Sequence, residues 1–143
     1  MTNQSIFEFL TKAEEDLLKE NFVEMKYQSN ETIIDQGVPL RAIYIIKSGE
    51  VRIERVEDGN VTPIALIESG EFIGEISFAD GNPTSARAIA VGETKLFILN
   101  GGIIDHLSNL NPSFGVNFYR SIALILSRRL RQTSMKVGES SFI

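Results

Sequence analysis

Between Met25 and Leu99 the chain is interrupted about every ten residues by Gly, Pro or Asp-Gly, and the stretches between the interruptions are short, apolar and rich in β-branched side chains. The runs are Thr32-Ile33-Ile34, Ala42 to Ile46, Val51 to Val56, Thr62 to Ile67, Ala86 to Val91 and Lys95 to Leu99. This texture predicts a sheet, and its regular spacing favours a sandwich or barrel. Val51 and Ile53 alternate with Arg52 and Glu54, which gives one buried and one wet face. Asp58-Gly59 sits between two runs where a hairpin turn demands positive φ.

Outside this segment the periodicity changes. Ile6, Phe7, Leu10, Leu17, Leu18 and Phe22 are spaced for small helices, with Thr11 to Glu14 reading as a capping box for the second. After Asn111-Pro112 the residues Phe114, Phe118, Ile122, Ile125, Leu126 and Leu130 form one stripe of a long helix running to about Met135. A chain of 143 residues has the length of one domain. The expected architecture is mainly β: N-terminal helices over 1–24, a β-jelly-roll (double-stranded β-helix) over 25–100, and C-terminal helices over 101–137. A helix of that length beside a small roll predicts a homodimer formed through it.

Several function classes are disfavoured. A net charge of −5 and a pI near 4.9 oppose direct nucleic-acid binding, and Arg128, Arg129, Arg131 and Lys136 read as a solvated helix face. With no cysteine there is no disulfide framework and no thiolate metal site. A metal enzyme on a roll of the cupin type needs two or three histidines, and a hydrolase triad needs a base, whereas His106 stands alone and reads as a surface or capping residue. No catalytic and no metal residue is therefore assigned. No apolar run reaches the roughly 20 residues of a membrane span, and the N-terminus lacks a basic segment followed by an apolar one, so a cytoplasmic protein without a membrane partner is expected.

The segment from Gly74 to Ala88 brackets a short apolar turn with glycines and then enters a strand through small residues. Glycine allows close approach of backbone, the amides of a short turn attract anions, and Ser85 adds a hydroxyl donor, so a phosphate fits there. The residues alone also suit a tight connection between two strands. Their order, however, resembles the phosphate-binding cassette of the cyclic-nucleotide-binding domain family: Gly74-Glu75-Ile76, a short turn containing Ser77, then Pro83-Thr84-Ser85-Ala86. Ile33-Ile34-x-Gln36-Gly37-x-Pro39 and Ile43-Tyr44-Ile45-Ile46-x-Ser48-Gly49-Glu50-Val51 look like that family's glycine-marked strands. The resemblance covers essentially the whole chain.

The resemblance implies that Glu75 accepts a hydrogen bond from a ribose 2′-hydroxyl and that the cassette, Gly74 to Ser77 and Pro83 to Arg87, surrounds the sugar and phosphate. Where the family carries a phosphate-binding arginine, after Pro83, this chain has Thr84. Arg87, three residues on, is expected to share a strand face with Ser85 and either reach back to the same anion or join a surface salt bridge with Glu or Asp. The tail Arg128-Arg129-Leu130-x-x-Thr133-Ser134-x-Lys136-Val137-Gly138 is similar to the end of the long helix in bacterial catabolite activator proteins. It implies that Thr133 and Ser134 cap the base, one from each subunit of a dimer; a solvent-facing helix end is the other reading. The implied function is a non-catalytic sensor whose ligand, cAMP foremost and cGMP next, sets the position of the C-terminal helix, with no further cofactor. The alternative is a degenerate, dimeric interaction module with a protein partner. Transcription factors of the similar family continue past the point where this chain stops at Ile143, into an output domain that binds DNA.

Overall fold

The computed structural model describes residues 6–136. In chain order the elements are α1 (Lys12–Lys19), β1 (Val23–Tyr27), β2 (Thr32–Ile34), β3 (Ala42–Glu57), β4 (Asn60–Glu68), β5 (Phe72–Ile73), α2 (Glu75–Asp80), β6 (Arg87–Asn100), α3 (Gly101–Leu110) and α4 (Pro112–Lys136). All strand pairs are antiparallel; the main path runs β1-β6-β3-β4, with β2 on β6 and β5 on β3.

Two of these strands were expected as four. Ala42 to Ile46 and Val51 to Val56 form the single strand β3, and Ala86 to Val91 and Lys95 to Leu99 merge into β6. Gly49 (φ +93°) and Gly92 (φ +71°) bend these strands rather than end them, and the β3–β6 register shifts around Ser48. A Cβ at Gly49 would lie 2.6 Å from the Glu93 carbonyl oxygen, so only glycine lets the two backbones cross so closely. The Asp58-Gly59 turn has φ of +51° and +79° and joins Glu57 to Asn60, as the hairpin reading expects.

Bending divides the interior in two. Inside the roll lie Ile33, Ile46, Val51, Ile73, Ala90 and Leu96; beneath the helices lie Leu18, Ile43, Leu99, Ile104, Phe114 and Phe118. Phe118 is fully buried, with ring centroids at 5.0 Å from Phe7, 5.9 Å from Phe78 and 6.0 Å from Phe114. The Thr11 to Glu14 capping box opens α1: the Glu14 amide donates to Thr11 Oγ1 at 3.2 Å and the Thr11 amide to Glu14 Oε1 at 2.9 Å. Among the described residues before it, 6–10 form turns rather than the expected first helix. They are tied to α4 instead, where the Phe9 amide donates to Ser121 Oγ, and α1 is tied there too by Asn117 Nδ2 donating to Glu14 Oε1. No helix among the described residues is long and apolar enough to cross a membrane.

Candidate functional site

A cavity of about 380 Å³ opens between the inner wall of the roll, the segment after β5, and α4. Ile34, Leu40, Ile53, Ile67 and Ile73 supply an apolar wall, and the polar contributions come from Glu75, Ser77, Asp80, Asn82, Thr84, Ser85, Arg87 and Arg129. Its size and its mixture of apolar wall with a few convergent polar groups are those of a small-molecule site. All nine residues singled out between Gly74 and Arg87 in the sequence line it.

The entrance to α2 is set by Gly74, with φ +91° and no room for a Cβ, which would approach the Ala42 carbonyl oxygen to 2.6 Å. Phe78 anchors α2 by packing edge-on against Phe118. This holds Glu75 on the cavity side, its side chain only 5% exposed. Glu75 Oε1 accepts from Arg129 Nη1, while Arg129 Nη2 donates to the Phe72 carbonyl at 2.9 Å and the guanidinium lies 4.3 Å from the centre of the Phe72 ring. No buried side-chain oxygen lacks a partner among the described residues, and no described residue donates a hydrogen bond to Glu75 Oε2, so Oε2 is open to the cavity as an acceptor.

Arg129 corrects the reading of the basic run as a solvated face. Arg128 and Arg131 are exposed, Arg128 pairing with Glu8 on the far side, but Arg129 enters the cavity. It stands seven residues after Ile122 and four after Ile125, on the buried stripe of α4, and that spacing was the signal for it.

Thr84, where the resemblance expects arginine, is bound to the loop between β2 and β3. Its hydroxyl donates to the Asp35 carbonyl at 2.6 Å and accepts from the Val38 amide at 3.1 Å; its own amide donates to Val38 O at 2.9 Å, and its carbonyl accepts from the Gly37 amide at 2.8 Å. Thr84→Val, nearly the same shape, should therefore lower unfolding free energy in urea by about 1–3 kcal/mol through the loss of two hydrogen bonds to backbone. A change below about 0.5 kcal/mol would show that the hydroxyl does not fasten the loop.

Arg87 begins β6, so Ser85 precedes the strand and the expected shared face does not apply. Of the two readings for Arg87, the salt bridge is present: Nε and Nη2 contact Glu54 Oε1 at 2.7 and 2.6 Å, and Arg52 Nε takes Glu54 Oε2 at 3.0 Å. Glu54, expected on the wet face, is 5% exposed, and the hydrogen bonds from Arg52 and Arg87 hold its carboxyl below the usual range. The exposed Ser85 accepts from Arg55 Nε through its carbonyl at 3.2 Å, and no described residue pairs with its hydroxyl. Thr133 is exposed outside the cavity lining, donating to the Arg129 carbonyl at 3.0 Å. Ser134 belongs to α4, but its side chain lies outside the described residues. Among the described residues no group of His, Cys, Asp and Glu is placed to hold a metal, and His106 is exposed.

A family model for the cyclic nucleotide-binding domain matches residues 24–109. The cyclic AMP receptor protein of Thermus thermophilus is 32% identical over 143 residues, covering 99% of this chain and 64% of the relative. The crystal structure of the Thermus thermophilus catabolite activator protein superposes with a TM-score of 0.76 at 32% identity, over 93% of this chain and 61% of that one. A cyclic nucleotide-binding domain from Methylobacillus flagellatus gives a TM-score of 0.81 at 22% identity over 90% of this chain and 72% of its own, a likeness of fold. The chain thus spans under two thirds of the length of the Thermus proteins it matches, and its fold is the jelly roll of these domains.

Proposed function

Because the chain belongs to the cyclic nucleotide-binding domain family, we propose that it is a regulatory module that senses a cyclic nucleotide, cAMP before cGMP, and performs no catalysis. The observation that carries this is the meeting of nine cassette residues around one cavity with an open carboxylate oxygen at its polar end. In this reading Glu75 Oε2 accepts from the ribose 2′-hydroxyl, a task suited to an ionised carboxylate because it only accepts. Ser85 and Arg87 meet the phosphate, and Thr133 and Ser134 close over the base from two copies of α4. The name of the Thermus relative, a cyclic AMP receptor, favours cAMP.

Arg129 gives the ligand a route to the rest of the molecule, since it joins the Glu75 carboxylate to α4. Ligand then biases α4 between positions by no more than its differential affinity for them. Val116 and Leu130 leave exposed apolar surface along α4 for a second copy, 59% and 47% exposed respectively. The other reading, a dimeric interaction module that has given up its ligand, is favoured by Thr84, whose hydroxyl is engaged with the 35–38 loop.

Calorimetric titration separates the two readings. The sensor should bind cAMP, and Arg87→Ala should weaken that binding about tenfold or more by removing a charge-assisted contact. Absence of binding by both cAMP and cGMP at high protein concentration would leave the interaction module. Unchanged affinity in Arg87→Ala would remove Arg87 from the site.

A further inference from the structure

Two acid–arginine groups differ in charge, the first lining the cavity through both Glu75 and Arg129 and the second reaching it through Arg87 alone. Glu75 and Arg129 balance one to one, whereas Glu54 is shared by two guanidiniums, Arg87 on Oε1 and Arg52 on Oε2. The second group carries a surplus positive charge beside Ser85, whose hydroxyl has no described partner. Arg87 and Glu54 face each other directly across β3 and β6, and Arg87 is the first residue of its strand, so its side chain is flanked on one side by chain outside the sheet.

Resting on the cyclic-nucleotide reading above, we propose that Glu54 is a built-in competitor for the ligand's phosphate: it holds Arg87 when the site is empty, and Arg52 keeps the buried carboxylate paired when Arg87 turns to the phosphate. A buried carboxylate with one partner cannot release it cheaply, because an uncompensated buried charge is strongly unfavourable. The second arginine removes that obstacle, since each guanidinium occupies a different oxygen. Glu54 thereby sets the affinity of the site for phosphate without touching the ligand, and Arg52 acts as a positioning residue behind Arg87.

The two residues must then act with opposite sign. Glu54→Gln should tighten cAMP binding about three- to tenfold, and Arg52→Gln, which leaves Glu54 to Arg87 alone, should weaken it by about the same factor. Adenosine, which lacks the phosphate, should bind all three proteins equally. Glu68→Gln, the same charge change at an exposed position with no ion pair among the described residues, should shift cAMP affinity less than about twofold at physiological salt. General loosening of the fold would weaken binding in both Glu54→Gln and Arg52→Gln, so it cannot imitate the opposed pair. Cyclic AMP binding by wild type with no gain in Glu54→Gln, or a gain shared by adenosine or by Glu68→Gln, overturns this inference alone. Silence of both wild type and Glu54→Gln toward cAMP overturns the cyclic-nucleotide reading together with it, whereas binding that appears only in Glu54→Gln supports it.

Discussion

Phe118→Ala is expected to lower the unfolding free energy by about 3–5 kcal/mol, a large part of what a domain of this size possesses. Phe118 is fully buried, and its ring is the common neighbour of Phe7 before α1, Phe78 in α2, and Phe114 and Tyr119 in α4. Truncation removes the transfer energy of the ring and leaves a void among rigid aromatics that cannot collapse into it. Urea unfolding followed by circular dichroism measures the change, and Phe118→Leu should lose clearly less because it refills most of the volume. A cost under about 1.5 kcal/mol for the alanine variant would mean that the helical layer is held elsewhere.

Glu75→Gln should reduce cAMP affinity about 10- to 150-fold, the range of a hydrogen bond to a charged group. The amide keeps the shape of the side chain but presents neutral acceptor strength to the ribose and no longer pairs by charge with Arg129. The 2′-deoxy analogue of cAMP supplies the control: with no 2′-hydroxyl to accept from, its affinity should change little between wild type and variant. An equal loss for both nucleotides would place the effect of Glu75 in the shape of the cavity, and a loss below threefold with cAMP would take the ribose role away from it.

The roll and its cassette were legible because their signals are local. β2 coincides with Thr32-Ile33-Ile34, and apart from Asn30 and Asp58 the positive φ values fall on glycines, the residues that mark the breaks in the sequence. A glycine that bends a strand and one that ends it look alike in sequence, which is why β3 and β6 were each read as two. β5 is only Phe72–Ile73, too short for a period, and most of β1 lacks a continuous apolar run because it is an exposed edge, so both were missed. At the site, the residues contributed by one contiguous segment were recognised and those brought in by distant elements were not. Arg129 and the Arg52–Glu54 pair lie far from the cassette in sequence, and charge on a helix or strand reads as solvated unless its partner across the fold is known.

The uneven burial of α4 limits how it can move. From Phe114 to Ile125 it is held by ring contacts to Phe7 and Phe78, hydrogen bonds to Phe9 and Glu14 and apolar packing on α3, whereas from Ser127 to Thr133 it is held by the exposed Arg128–Glu8 pair and sends only Arg129 into the cavity. A displacement of the whole rod would tear open the helical layer at a cost no small ligand repays. Under the sensor reading proposed above, ligand coupling would therefore act on the last three turns, beyond Ile125, where Arg129 links the helix to the cavity.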